Sequence, residues 1–426
     1  MAILGYLYLL LQLNKRRHQY PPGPRPLPII GNLHQLPRRD PWRTLKTWHN
    51  RHGPIITVWV GSRPIIIIGS FHCAKDLFKR RGAIYGSRPA YFADAMGSDS
   101  LVVALPYGLQ WRRHCLLLHT LLNKRRCKDC ISLQDLECKQ LLWELLWTDD
   151  FAGRIHRFAA SLTFALAYGR RLERGDEPEV KEIDRIMREL LGEVCLPGVA
   201  FPILDHLPDW LAPWRRSAAR LQDSQARALQ TTQTKAWSRT IRDLACARWP
   251  ESAFSENEMA HVVGVNYEAG SDTTAFVLER PAVLRAQAEL DEVVGSQRMP
   301  TLDDMPRLPY LQAFVEEVLR WRPVVPGGYR IPRGTTVIQD HWSLDFDEEV
   351  FQDPHSFLPE RLCPGENLAR KSLNLYVGNE PPDPFAMTQG ISSRPQPFKA
   401  EFRPRSPSRR TLIETEWKNV LYAGSI

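Results

Sequence analysis

The chain has 426 residues, of which 43% are hydrophobic and 24% are charged, with a formal net charge of +8. It is long enough to bury a substantial core as a large globular protein. The positive charge is modest at this length, and no basic motif interleaved with aromatic residues occurs, so nucleic acid is not an expected partner.

The N-terminus is apolar from Ala2 to Leu13 and then basic at Lys15, Arg16 and Arg17. A helix needs about 20 apolar residues to cross a bilayer, so this run is too short to span one. We expect residues 1–20 to be a truncated or interfacial anchor on a membrane surface, with the basic cluster on the cytoplasmic side. Residues 21–426 are then expected to form one domain.

Two β-branched runs, Ile55 to Val60 and Ile65 to Ile68, flank a short turn and predict a hairpin. Most of the remaining chain spaces its apolar residues helically. Helices are predicted over residues 109–126, 130–147, 176–195 and 259–279, and another from Pro281 to Gly295. The predicted fold is mainly α with a small β region near the N-terminus.

The segment EAGSDTTA, from Glu268 to Ala275, falls inside the longest predicted helix. Gly270 costs roughly 1 kcal/mol relative to alanine in a helix interior and therefore needs a compensating role. Asp272 and Thr273 can compete for the backbone hydrogen bonds of the helix. The alternative is an ordinary amphipathic helix that carries a polar sequence.

A second motif, EEVLRWRP, places Glu317 and Arg320 three residues apart on one helix. Side chains at this spacing are neighbours on the helix surface. Such a pair is usually a surface salt bridge worth well under 1 kcal/mol.

The third motif, CPGENLARKSL, places Cys363 before a helical pattern, with Gly365 two residues later. The free N–H groups of a first helical turn favour a thiolate, and glycine lets the backbone approach closely. A cysteine presented in this way can be an axial ligand of haem iron. A buried structural cysteine before a capped helix would give a similar pattern.

Taken together and in this order, the three motifs resemble the cytochrome P-450 family of haem-thiolate monooxygenases, in the style of fungal microsomal members. The resemblance extends to a proline-rich stretch from Pro21 to Asn32, to Trp111 with its two following arginines, and to the FLPER segment from Phe357 to Arg361. It implies a haem cofactor whose iron is bound by Cys363. The other haem-binding positions that it implies are Trp111, Arg361, Gly270 and Gly365.

The resemblance also implies roles in catalysis and folding. Asp272 and Thr273 would deliver protons, while Glu317 and Arg320 would lock the region behind the cysteine loop. The expected reaction inserts one oxygen atom from O2 into a small apolar organic substrate, in secondary metabolism or detoxification. Electrons would come from NADPH through a separate reductase, since no Rossmann or flavin fingerprint occurs. The expected location is the cytoplasmic face of the endoplasmic reticulum membrane.

Several positions depart from the family pattern, so the fold is expected to be incomplete. Cys115 stands where the family's Trp-x-x-x-Arg motif has its arginine. Arg361 lies two residues before Cys363 and is the candidate for two arginine roles that the family separates. Losses of this kind favour the hypothesis that coding segments of the gene have been skipped.

Two alternative functions remain open. The first is a non-catalytic or haem-poor remnant of the family. The second is a haem-thiolate enzyme that rearranges an oxygenated substrate without a reductase, although the presence of Asp272 and Thr273 argues against it.

Overall fold

The computed structural model describes residues 20–37, 41–61, 63–88, 101–122, 130–193, 213–236, 254–278, 284–321, 328–330, 336–348, 350, 404 and 406–423. Helices dominate, and one small sheet accompanies them, which confirms the predicted fold class.

The sheet has four strands, in the order β1-β2-β4-β3. β1 (Ile55–Val60) and β2 (Arg63–Ile68) form the predicted antiparallel hairpin, although β2 begins two residues earlier than expected. β4 (Thr336–Gln339) runs parallel to β2, and β3 (Gly328–Arg330) pairs antiparallel with β4. The prediction of a β region near the N-terminus was therefore incomplete, because two of its strands come from residues 328–339.

The β2 isoleucines form a continuous apolar run because both faces of the sheet are covered. Ile66 and Ile68 pack with Val337 on one face. Ile67 packs on the other face, with Ile56 and with Trp48 of the first helix.

The helices include those predicted at residues 109–126, 130–147, 176–195 and 259–279. The second begins one residue later and ends two residues earlier than predicted, and the other three extend to the end of a described range. Gly295, at φ +77°, follows one helix as expected for a C-terminal cap. The α-helices of the described residues, in chain order, are α1 (Pro41–His52), α2 (Phe71–Ala74), α3 (Gly82–Tyr85), α4 (Leu109–Leu122), α5 (Ile131–Leu145), α6 (Phe151–Tyr168), α7 (Pro178–Glu193), α8 (Pro213–Ala236), α9 (Glu256–Leu278), α10 (Leu284–Val293), α11 (Pro309–Trp321), α12 (His341–Asp345) and α13 (Pro407–Ala423). A π-helix, Lys75–Arg80, follows α2, and a 3-10 helix, Leu302–Arg307, precedes α11.

Helices α6 and α9 take part in both large apolar cores. In one core, residues near the start of α6 pack with Ala275 of α9 and with α5, α10 and α11. In the other, Phe164 and Tyr168 of α6 pack with Tyr267 of α9 and with α4, α7 and α8. The two helices therefore connect the two cores, and the candidate site is built on them.

A buried ion-pair cluster joins α6 to α5. Arg157 is 1% exposed, and its guanidinium lies 2.7 Å from Glu137 Oε2 and 2.9 Å from Glu144 Oε2. Ser161 donates a hydrogen bond to Glu137 (2.8 Å), and Arg171 pairs with the same carboxylate (2.6 Å). The charges are buried but paired, which is the condition for a stable buried charge.

Within the ranges that the structure describes, no helix is both long enough and apolar enough to cross a membrane. Residues 1–19, which carry the apolar run and the basic cluster, lie outside those ranges.

Candidate active site

The start of α9 is fixed by a reciprocal cap that also ties it to α4. Ser255 N donates to Glu258 Oε2 (2.8 Å), and Glu258 N donates to Ser255 Oγ (3.1 Å). Such a capping box satisfies free N–H groups at a helix start. Gln110 of α4 donates to the other oxygen of Glu258 (2.7 Å). The helix that carries Trp111 is thereby held against the start of the central helix.

The middle of α9 has an open side. Residues 259–265, 267 and 268 are buried, but Ala269 is exposed and Asp272, Thr273 and Thr274 are partly exposed. The small side chain of Ala269 leaves this side of the helix accessible, which is compatible with the haem predicted from the sequence. The position of the haem against α9 stays a prediction.

Gly270 is explained in part by packing. A Cβ atom placed on Gly270 would lie 2.5 Å from Thr163 Cγ2 of α6, closer than side-chain carbon atoms approach. The glycine therefore lets α6 and α9 approach each other, which is a physical compensation for its helix cost. Its predicted role in ligand access to the haem stays a prediction.

Asp272 lies within a small polar cluster formed by three helices. Its Oδ1 is 3.3 Å from His156 Nε2 of α6, and the same nitrogen is 3.7 Å from Asp184 Oδ2 of α7. Tyr267 donates a hydrogen bond to the other oxygen of Asp184 (2.8 Å). Burial raises the pKa of Asp184, while the nearby His156 and the Tyr267 hydroxyl oppose that rise.

Thr273 is held by its own helix. Its hydroxyl donates to the carbonyl oxygen of Ala269, one turn earlier. A threonine bonded in this way weakens the regular helix ladder at that turn. Asp272 and Thr273 are thus neighbours at a helix position where a hydroxyl and a carboxylate are both partly accessible.

A buried carboxyl group lies next to the site. Glu268 is 8% exposed and accepts a hydrogen bond from Gln225 Nε2 of α8 (2.7 Å). Burial raises its pKa to about 7, although the hydrogen bond from Gln225 acts in the opposite direction. The side chain is therefore balanced between its neutral and ionised forms near neutral pH.

Trp111 is partly exposed on α4, and its ring lies 5.2 Å from that of Tyr107. Arg112 lies over the same Tyr107 ring and donates to its hydroxyl (3.2 Å). Cys115 follows Trp111 by four residues, on the same side of α4, and burial raises the pKa of its thiol. A neutral thiol cannot replace an arginine as a partner for a propionate.

Glu317 is fully buried in α11, as expected if it belongs to an internal lock. The side chain of Arg320 lies outside the described part of the chain, so the predicted pair stays a prediction. The start of α11 is capped by Glu289 of α10, which accepts from Tyr310 N (2.9 Å) and Leu311 N (2.8 Å). This cap fixes the position of α11 relative to α10.

Cys363, Arg361 and Gly365 also lie outside the described residues, and their roles stay predictions. The structure adds residues that the sequence motifs did not indicate, namely His156, Asp184 and Glu268. Glu268 opens the EAGSDTTA motif, but nothing in the sequence shows that it is buried. His156 and Asp184 lie on different helices, and no local spacing connects them with Asp272.

Comparison with known proteins places these observations in a family. The family model for Cytochrome P450 matches residues 21–375. The chain is 35% identical to Cytochrome P450 monooxygenase FrzL of Cladobotryum sp, over 98% of this chain and 94% of the relative. It is also 35% identical to Cytochrome P450 monooxygenase aneD of Aspergillus aculeatus, over 97% and 93%, and to drtD of Aspergillus calidoustus, over 97% and 91%.

Proposed function

This chain belongs to the cytochrome P450 family and is a haem-dependent monooxygenase, and from that premise we propose that it inserts one oxygen atom from O2 into an apolar substrate of fungal secondary metabolism. The family uses an organic substrate, O2 and a redox-partner reductase. We infer that the electrons come from NADPH through a separate reductase protein. The observation that carries the proposal is the open side of α9, where Ala269, Asp272 and Thr273 lie together.

Haem bound through a cysteine thiolate supplies the activation of O2. In this chain Cys363 would hold the iron, and the open side of α9 at Ala269 would face the cofactor. Thr273 would donate a proton from its hydroxyl on this side, after releasing the carbonyl of Ala269. Asp272, whose side chain is partly exposed, would take up a proton from solvent and pass it to Thr273, and His156 would hold its carboxyl group in place.

We further propose that the chain works at the cytoplasmic face of the endoplasmic reticulum membrane. Residues 1–19 supply an apolar run followed by three basic residues. Four apolar residues in the first described segment, residues 20–37, are exposed. This combination favours association with a lipid surface.

A haem-poor form of the enzyme is the second candidate, and two observations favour it. The alignment with FrzL extends over 482 positions, whereas this chain has 426 residues, so at least 56 positions of the alignment have no counterpart here. Cys115 is a partly buried thiol at the position of the family's arginine. Both support the hypothesis that segments of the family pattern are missing from this chain.

The absorption spectrum of the reduced protein under carbon monoxide tests the proposal. Thiolate ligation should produce a strongly red-shifted Soret band, and Cys363→Ser should abolish it. Cys138→Ser is the matched control, because that thiol is buried in the α5 core and should leave the spectrum unchanged. Retention of the band in Cys363→Ser would refute the ligand assignment, and a parent chain without a haem band would favour the remnant.

A further inference from the structure

A cavity of about 500 Å³ opens between the segment 23–35 and α1. Its lining includes the cationic or titratable side chains of Arg25, Arg51 and His52, and it contains no carboxylate. These three side chains have no hydrogen-bond or ion-pair partner among the described residues. Arg25 and Arg51 are exposed, and positive charges that line one cavity without a counter-charge favour an anion there.

The walls of this cavity are fixed by hydrogen bonds. Asn32 is fully buried, and its amide donates to Pro24 O (3.3 Å) and to Gln35 Oε1 (3.1 Å). Gln35 in turn donates to Arg25 O (3.1 Å), and Trp48 of α1 is buried. The backbone of the cavity wall is therefore fixed before any ligand binds, which reduces the entropy that this segment loses on binding.

An exposed apolar ridge lies in the same segment. Its side chains are exposed by 44% at Leu27, 68% at Ile29, 37% at Ile30 and 36% at Leu33. Ile29 also has φ +68°, a left-handed conformation that is strained for a β-branched residue. In water the ridge has two unfavourable features, a strained backbone at Ile29 and exposed apolar surface. Contact with lipid would bury that surface.

We propose that the cavity binds the phosphate group of an anionic phospholipid while the ridge enters the bilayer surface. The inference rests on the proposed membrane association and specifies its site. Guanidinium groups match phosphate oxygens in geometry and charge, and basic pockets near a membrane surface bind lipid headgroups. A free phosphate ion would use the same cations but would leave the ridge without a function, so the structure favours the lipid.

The test is co-sedimentation of the full chain with vesicles of phosphatidylcholine alone and with vesicles that also contain phosphatidylserine. The double variant Arg25→Gln/Arg51→Gln should bind the anionic vesicles roughly tenfold more weakly. The charge-matched control Arg227→Gln/Lys418→Gln removes exposed cations from α8 and α13 and should bind much more tightly than the cavity variant. Equal weakening in the two double variants would overturn the cavity, since it would show only general attraction.

Two further measurements separate the alternatives. Ile29→Asn should raise the thermal stability, because asparagine tolerates φ > 0, and should weaken vesicle binding. Higher stability with unchanged vesicle binding would overturn the role of the ridge. Inorganic phosphate should compete weakly with anionic vesicles; strong binding of phosphate without cavity-dependent vesicle binding would identify a free anion as the ligand.

Failure of this inference can be told apart from failure of the proposed function. If the cavity variant binds vesicles as tightly as the parent, the phosphate site is refuted, but the proposed membrane association is not. No binding to either type of vesicle removes membrane association itself. Neither result depends on haem content, so the monooxygenase assignment is tested separately by the carbon monoxide spectrum.

Discussion

Two adjacent residues of α6, Arg157 and His156, make ion pairs in very different surroundings. Arg157 pairs with α5 in the protein interior, and His156 pairs with α9 at a partly exposed position. Arg157 is 1% exposed and pairs with Glu137 and Glu144 at 2.7 and 2.9 Å. The His156 side chain is 27% exposed and lies 3.3 Å from Asp272. One side of the helix therefore holds fixed charges within the protein, and the other holds charges that can rearrange with solvent.

The difference follows from solvation and bears on function. A buried charge that loses its partner cannot recover the lost interaction from water, so its pairs are fixed once the protein folds. A half-exposed pair is worth little because water replaces either partner. The ion pairs with α5 can thus hold α6 rigid, whereas the pair between His156 and Asp272 can rearrange as proton transfer requires.

The largest expected effect is on the buried side. Arg157→Met should lower the free energy of unfolding by about 3–5 kcal/mol, because it leaves Glu144 buried without its cation and Glu137 with only the partly exposed Arg171. Unfolding in urea measures this loss. Arg171→Met is the matched control, since Arg171 contacts the same Glu137 but its side chain is 30% exposed. Equal losses in the two variants would show that burial does not distinguish the two sides.

Glu268 gives the next largest effect and depends on pH. Its pKa is about 7 in the folded protein and about 4.5 in the unfolded chain, so the unfolded chain loses the proton first as pH rises. The stability that the protonated group contributes is complete below about pH 4.5 and is lost as pH rises towards 7. Glu268→Gln should therefore match the parent at pH 4 and exceed it at pH 8 by ~1–3 kcal/mol.

Thermal unfolding of the parent and Glu268→Gln across this pH range measures the difference. Glu292→Gln is the control, because Glu292 is exposed on α10. A difference between parent and Glu268→Gln that does not change with pH would mean that the carboxyl stays in one protonation state throughout.

Gly270 tests the close contact on the α9 side. Gly270→Ala should destabilise the protein by ~1–2 kcal/mol, since the contact with Thr163 Cγ2 outweighs the helix propensity of alanine. In the Thr163→Ser background the methyl group is absent, while serine retains the hydroxyl that bonds to Ala159 O. There Gly270→Ala should instead stabilise by up to ~1 kcal/mol. Equal destabilisation by Gly270→Ala in both backgrounds would show that the glycine is needed at the open side of α9 and not for the contact with Thr163.

The sequence predicted what depends on local pattern. The hairpin at residues 55–68 and helix α9 were predicted because alternation and helical spacing are properties of neighbouring residues. β4 could not be predicted, since it joins β2 across more than 260 residues through backbone hydrogen bonds that any side chain permits. For the same reason Asp272 was identified from its motif, but its partner His156 was not. No pattern in the sequence indicates that α6 and α7 meet beside Asp272.

The smallest expected effect on stability, and the most informative for function, comes from His156. His156→Ala should change the free energy of unfolding by less than ~1 kcal/mol, because the pair with Asp272 is partly exposed. It should nevertheless lower the ratio of product formed to NADPH consumed several-fold, because the Asp272 carboxylate loses the group that holds it. The measurement uses the chain loaded with haem and supplied with a redox-partner reductase. His156→Gln places an amide N–H near the position of Nε2 and should recover much of the ratio if His156 only positions Asp272. If the ratio falls equally in His156→Ala and His156→Gln, the imidazole itself transfers the proton. If the ratio is unchanged in His156→Ala but lower in Thr273→Ala, Asp272 acts without His156.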